Sequence, residues 1–178
     1  MKSIFNICCA TAFASLIAGC SMQIDLGDGD LHGISIHDGS IAVHARGAAD
    51  ADVTVAGDLS IGGKAIALTP AQRGLLKQYY AQVMAVRDDG IATGKAGAAM
   101  AGHAIGSVAS GLAHGDPDSI GPAIDARAKQ VEAKALAVCN DVAAVQTQQN
   151  ALAIALPAFK PYARIDGHDV TDCKAHQG

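Results

Sequence analysis

The chain has 178 residues and a formal net charge of −4, and half of its residues are apolar although only 3% are aromatic. The acidic balance argues against a nucleic-acid-binding protein, because such proteins need clustered positive charge. So few large side chains limit the apolar area that each residue can bury. We therefore expect one domain that is stabilised by the close approach of surfaces rich in Ala and Gly.

The N-terminal segment has the pattern of a secretory signal. Lys2 is followed by an apolar run that is too short to span a membrane as a helix. The run closes in Leu16-Ile17-Ala18-Gly19-Cys20, which resembles the lipobox of bacterial lipoproteins. The resemblance implies that residues 1–19 are removed and that Cys20 carries the acyl chains, palmitate among them, that anchor the protein in a membrane. The same resemblance implies, from Ser21 in place of Asp, an outer-membrane location with the protein facing the periplasm.

A linker over residues 20–30 is expected to precede a region of short strands over residues 31–68. Pairs of apolar residues at alternating positions mark four strands: Ile34 and Ile36, Ile41 and Val43, Val53 and Val55, and Leu59 and Ile61. Turn-forming dipeptides, Asp38-Gly39 and Gly62-Gly63, have the chemistry of tight hairpin turns. Together these features predict a small antiparallel sheet or a meander of hairpins.

The helical region spans residues 69–165 and starts at Thr69-Pro70-Ala71-Gln72. Thr is a preferred N-cap, Pro fits the first helical position, and Gln three residues after the cap completes a capping box. A second helix follows Pro122, and its apolar and small residues recur at alternating steps of four and three: Ile124, Ala128, Val131, Ala135, Val138, Val142, Val145, Gln149, Leu152 and Leu156.

That 3.5-residue period predicts a seam against a partner helix. We therefore expect an α+β fold, in which the short antiparallel hairpins precede a long antiparallel helical hairpin and a polar C-terminal tail over residues 166–178. An intermolecular coiled coil is the alternative use of the seam.

The segment from Ile91 to Ala113 contains no acidic residue and one formal charge, Lys95. Small residues recur at every fourth position in and beside it: Gly90, Gly94, Ala98, Gly102, Gly106 and Ser110. Such a glycine-zipper stripe lets another backbone approach closely. We expect the second helix to lie along it in a soluble hairpin. Insertion of residues 90–113 into a bilayer is the alternative, which Lys95 and His103 disfavour.

Two cysteines remain once the signal is removed and Cys20 is lipidated. They are Cys139 on the second helix and Cys173 in the tail. In an oxidising envelope two remaining thiols most simply pair. We therefore predict a Cys139–Cys173 disulfide that ties the tail to the helix.

Few residues suggest chemistry. His32, His37 and His44 could come together on the hairpins, but their spacing matches no standard set of metal ligands. The chain has no nucleophile elbow, no helical His-Glu-x-x-His motif and a single Glu, Glu132. We therefore expect a protein that is not an enzyme and that has neither a cofactor nor a specific metal site.

The stretch from Asp58 to Arg73, followed by Leu75-Leu76 and Tyr79-Tyr80, resembles the YggN-type family of proteobacterial envelope proteins. The similarity extends over residues 50–165 as a strand, a turn, a strand, a capped helix and Ala-rich helices. It implies an envelope location and an α+β layout. Because the function of that family is unknown, the resemblance assigns no catalytic or binding residue.

The leading hypothesis is a non-enzymatic, lipid-anchored periplasmic protein whose helical hairpin is an interaction or structural module for an envelope protein partner. One alternative is a membrane-active protein that inserts its Gly/Ala-rich segment into a bilayer. The other is a carrier of a small ligand or a metal. The sequence leaves the oligomeric state open.

Overall fold

A computed structural model describes residues 33–37, 39–114 and 120–175. The predicted signal peptide, the lipidation site Cys20 and the linker lie outside the described residues, as do His32 and Asp38. The elements are five strands, β1 (Ile34–His37), β2 (Ser40–Val43), β3 (Ala51–Thr54), β4 (Leu59–Ile61) and β5 (Lys64–Ala65), then helices α1 (Pro70–His114) and α2 (Ile120–Ala155), a 3₁₀ segment (Pro157–Tyr162) and helix α3 (Gly167–Ala175). The α+β prediction is confirmed.

The strands form one antiparallel meander in the order β1-β2-β3-β4-β5. Ile36 pairs with Ile41, Ile41 with Val53, and Val53 with Leu59, so the alternating apolar residues share one face. That face is buried at β2, β3 and β4. Val55 differs from the prediction: β3 ends at Thr54, and the Val55 side chain is exposed.

Glycines set two turns of the sheet. Gly62 and Gly63 connect β4 to β5 and have φ values of 55° and 74°, the left-handed region that favours glycine. Gly57 lies where the turn before β4 meets α1, and a Cβ atom there would come within 2.5 Å of the Arg73 carbonyl oxygen. Asp58 and Arg73 form an ion pair at the same contact. The sheet is thereby fixed against the first turns of α1.

Helix α1 begins as predicted. The Thr69 N–H donates to Gln72 Oε1 at 2.9 Å, and the Gln72 N–H donates to Thr69 Oγ1 at 3.2 Å, which completes the capping box. Gln72 Nε2 also donates to the Ala155 carbonyl oxygen at 2.7 Å. This bond joins the first turn of α1 to the last residue of α2, so the two helices are antiparallel neighbours.

The core lies between the inner face of the sheet and the base of the helical hairpin. Helix α2 contributes the C-terminal part of its predicted seam, and α1 contributes residues at the same three-and-four spacing: Leu76, Tyr79, Val83 and Val86 from α1, Val142, Val145, Gln149 and Leu152 from α2, and Leu156 directly after α2. Phe159 and Tyr162 of the 3₁₀ segment close the core, with the Tyr79 and Phe159 rings edge to face at 5.3 Å.

Gln149 is the one polar side chain buried in this core within the described residues. Its Oε1 accepts from the Ile165 N–H at 3.3 Å, and its Nε2 donates to the Ile165 carbonyl oxygen. The amide therefore satisfies both backbone groups of a residue that has no strand partner. The C-terminal segment is held against α2 by this pair of hydrogen bonds.

The polar C-terminal tail contains α3, which the sequence analysis did not predict. Asp166 caps this helix, accepting from the N–H groups of His168 at 2.8 Å and Asp169 at 3.1 Å. The predicted disulfide is confirmed: Cys139 and Cys173 are bonded, with their Cα atoms 5.6 Å apart. A local cap and a covalent tie thus order a segment that has no buried side chain of its own.

Reduction of the Cys139–Cys173 disulfide should lower the free energy of unfolding by about 3–4 kcal/mol, because it releases a loop whose ends are 34 residues apart. Urea denaturation with and without reductant measures the change. The matched control is the double variant Cys139→Ala/Cys173→Ala, whose midpoint should not respond to reductant. An unchanged midpoint for the unsubstituted protein would contradict the prediction.

Candidate functional site

The helical hairpin extends well beyond the core. Between Val86 on α1 and Cys139 on α2, no side chain in the described part of the hairpin is buried. We call residues 87–114 and 120–138 the distal hairpin. At 1.5 Å per residue, the part of helix α1 that belongs to it, residues 87–114, is about 40 Å long. It is held to the rest of the molecule through the continuity of its two helices.

Within the distal hairpin the two helices still face each other along a seam. One series of half-buried residues of α1 follows steps of three and four there: Gly90, Thr93, Gly97, Met100, Ala104 and Ser107. On α2 the predicted seam residues from Ile124 to Val138 are all half-buried. Sequence reasoning missed the α1 half of the seam because Gly, Thr and Ser occupy it, although their 3.5-residue spacing was available as a signal.

The predicted small-residue stripe does not lie in this seam. Of its six members only Gly90 is half-buried, while Gly94, Ala98, Gly102, Gly106 and Ser110 are exposed. Each step of four residues rotates a helix by about 40° beyond a full turn, so five steps carry the stripe about 200° around the helix. The expectation that α2 lies along this stripe is therefore wrong.

The outer face of the distal α1 helix consequently exposes small and apolar residues. We call the exposed residues Gly94, Ala98, Gly102, Ile105 and Gly106 the distal α1 face. The Ile105 side chain is 74% exposed there, and Leu136 on α2 is 44% exposed. A Cβ atom added at Gly102 or Gly106 would meet nothing within 4 Å. Among the described helices, none is both long and apolar enough to cross a membrane.

Gly102→Ala and Gly106→Ala should each stabilise the distal hairpin by about 0.5–1 kcal/mol, because Ala has the higher helix propensity and the added methyl group meets no neighbour. Amide hydrogen exchange of residues 95–112 measures the gain. Gly57→Ala is the opposite control, since its Cβ would collide with the Arg73 carbonyl and destabilise the protein. Destabilisation by the two distal substitutions would show that these glycines are needed for packing.

A pair of carboxyl groups lies where the distal hairpin meets the core. Burial raises the pKa of Asp141 on α2, and the neighbouring carboxyl of Asp89 on α1 raises it further through its like charge. Asp141 Oδ2 is buried and has no hydrogen-bond partner within the described residues. Ionisation of this carboxyl therefore opposes the close approach of the two helices.

Asp141→Asn should stabilise the protein at pH 7. Because the pKa of Asp141 is raised in the folded state, the free energy of unfolding falls as the pH rises from the ordinary carboxyl pKa through the raised one. Because the variant has no ionisable group at this position, its free energy of unfolding at pH 7 should be higher by on the order of 0.5 kcal/mol, a value that allows for solvent screening. Urea denaturation measures the free energy of unfolding of both proteins at pH 7 and at about pH 3.5, which is below the ordinary pKa of Asp. The variant should be the more stable protein at pH 7, and the difference should vanish in acid. The exposed Asp125→Asn is the control, and equal gains for both would contradict the account.

The outer face of the sheet brings together a Ser, two His and an Asp. Ser35 lies on β1, His44 directly follows β2 and Asp50 directly precedes β3. The register pairs Ser35 with Ala42 and Val43 with Ala51, so all three project from the face opposite the core. Ser35 Oγ lies 2.9 Å from His44 Nε2, and His44 Nδ1 lies 2.8 Å from Asp50 Oδ1. His37 Nε2 lies 3.3 Å from the same Ser35 Oγ.

The donor and acceptor groups of these side chains determine where the protons of this array lie. The Asp50 carboxylate only accepts, so neutral His44 donates from Nδ1 and its Nε2 is an acceptor. Ser35 therefore donates its hydroxyl proton to His44. Because a hydroxyl has one proton, His37 can bond to Ser35 Oγ only as a donor, through an Nε2–H. The result is a directed chain from His37 through Ser35 and His44 to Asp50.

Sequence reasoning named two members of this array and missed two. His37 and His44 do come together, as considered, and they flank Ser35. Ser35 and Asp50 carried no local signal, because only the register of three strands makes them neighbours. Within the ranges that the structure describes, no group of three or more His, Cys, Asp or Glu side chains is arranged to hold a metal ion.

A family model described as a protein of unknown function, DUF2884, matches residues 31–120, about half of the chain. The chain belongs to the DUF2884 family. No curated protein and no solved structure matches the chain. The DUF2884 match covers the sheet with its Ser-His-Asp array and the whole of α1, and it ends where α2 begins.

Proposed function

We propose that this DUF2884 protein is a lipid-anchored envelope protein that presents its distal hairpin to a protein partner. The proposal places it at the periplasmic face of the outer membrane, held through acylated Cys20. The lipobox pattern and the resemblance to YggN-type envelope proteins support that address. The hairpin module itself requires no catalysis, so in this role the protein is not an enzyme.

The observation that carries the interaction role is a long hairpin without a core of its own. All buried residues of α1 and α2 lie at the base, so the distal hairpin adds nothing to the core of the described protein. It nevertheless keeps Ile105 and Leu136 exposed. Ile105 lies among the small residues of the distal α1 face, and an apolar face of this kind on an extended element is typical of a surface that another protein covers.

The distal α1 face is the proposed contact. From Ile91 to Ala113 the helix carries Lys95 as its one formal charge. The facing part of α2, in contrast, carries Asp125, Arg127, Lys129, Glu132 and Lys134. A partner helix can approach this glycine-rich side closely and would desolvate few charged groups there, because Lys95 is its one formal charge. The charged outer side of α2 remains in contact with water.

A photo-crosslinking residue in place of Ala98 should therefore capture a protein partner in intact cells. The matched control replaces Ala133, which is exposed on the charged α2 side of the distal hairpin, and should give little or no adduct. The double variant Gly102→Leu/Gly106→Leu should remove most of the Ala98 adduct, because its side chains block close approach. Adducts are identified by mass spectrometry.

Equal protein adducts from Ala98 and Ala133, or none from either, would contradict the interaction role. Adducts of Ala98 with lipid would favour the alternative in which the same face inserts into a bilayer. The anchor is tested in the same cells by metabolic labelling with a palmitate analogue, which should label the unsubstituted protein but not Cys20→Ser. Equal labelling of the two proteins, or labelling of neither, would contradict lipid anchoring through Cys20.

A further inference from the structure

We propose that Ser35, His44 and His37, positioned by Asp50, form a hydrolytic site for small carboxylic esters on the outer face of the sheet. This site is separate from the distal hairpin, so an absence of ester hydrolysis would leave the interaction role unaffected. Hydrolysis would add an activity that the sequence does not predict. The inference rests on four side chains that the sheet register brings into one hydrogen-bonded chain.

Ser35 has the geometry of an activated nucleophile. Its Oγ lies 2.9 Å from His44 Nε2, within reach for direct proton transfer. The assigned protons leave His44 Nε2 as the acceptor, which is the form that a general base requires. Asp50 holds His44 in that tautomer through the 2.8 Å contact with Nδ1. A nucleophile, a base and a group that orients the base are the parts shared by serine hydrolases on unrelated folds.

His37 supplies the remaining part of the site. Its Nε2–H donates to Ser35 Oγ in the resting arrangement, at 3.3 Å. When a carbonyl carbon bonds to Oγ, the negative charge develops on the adjacent carbonyl oxygen. The exposed His37 side chain is free to turn its N–H towards that oxygen. A histidine N–H is among the donors that stabilise such an oxyanion.

The reaction proceeds in two balanced halves. Ser35 Oγ bonds to the ester carbonyl carbon while its proton passes to His44 Nε2, and the carbonyl π electrons move to oxygen. The bond to the leaving oxygen then breaks, and that oxygen takes the proton from His44 to leave as an alcohol. Water repeats the sequence at the acyl-Ser35 carbon, with His44 as base and then acid. The products are a carboxylic acid, an alcohol and regenerated Ser35.

The openness of the site sets its substrate class. The His44 and Asp50 side chains are 45% and 59% exposed, so the array lies on an open sheet face. An open face contacts little of the substrate apart from the reacting carbonyl group, which favours small or flexible esters with good leaving groups. Solvent weakens the electrostatic stabilisation relative to a closed site, so turnover should be slow.

The test uses the full processed chain with a fluorophosphonate probe and with p-nitrophenyl acetate. The probe should label Ser35, located by mass spectrometry of the peptide. Ser35→Ala should abolish labelling, and Ser35→Ala and His44→Ala should each lower ester turnover by about 100-fold or more, the usual contribution of a general base. Asp50→Asn should lower kcat and leave KM nearly unchanged, which a loss of substrate binding would not do, while an unchanged circular dichroism spectrum of the variant excludes a loss of folding.

Ser60→Ala is the matched control. Ser60 lies on the same face of the sheet, with its Oγ 3.4 Å from Asp52 Oδ2 in place of a histidine. The variant should keep full labelling and turnover. Labelling of Ser60 or other serines at a rate equal to Ser35, or ester turnover that survives in Ser35→Ala, would overturn the proposal. The probe experiment on the unsubstituted chain decides the matter even if a variant folds poorly.

Discussion

The packing of α1 against α2 is the constraint on which the rest of the molecule depends. At the base, large side chains such as Tyr79, Val83 and Leu152 meet, and each removes considerable apolar area from water. In the distal hairpin the same seam passes through Gly90, Gly97 and small residues of α2 that are only half-buried. The helical hairpin therefore has a well-packed base and a weakly packed distal part.

The base of the hairpin also determines what the sheet can do. Because the inner face of β2, β3 and β4 is buried against the helices, the register of the sheet is fixed: a slip of one residue would expose that face. A fixed register in turn holds Ser35, His44 and Asp50 together on the outer face. The hydrogen bonds of Gln149 to Ile165 and the Cys139–Cys173 disulfide hold the C-terminal segment against α2.

Features set by local chemistry or by one period were predictable from the sequence. The Thr69 cap, the α2 seam and the Gly62-Gly63 turn are of this kind. The glycine stripe was misplaced because spacing of four residues resembles, but does not equal, the helical repeat. The Ser-His-Asp array could not be predicted, because its members become neighbours only through the pairing of three strands. Helix α3 was not predicted because a cap and a disulfide, and not an apolar face, stabilise it.

Amide hydrogen exchange along both helices tests most directly the claim that α1 and α2 share one seam with two packing regimes. Amides of residues 76–86 and 139–152 should exchange only on global unfolding, because their side chains form the core. Amides of residues 95–112 and 124–136 should exchange much faster, through local opening that leaves the core intact. Uniformly slow exchange along both helices would contradict the account, since it would mean that the distal hairpin is as tightly packed as its base.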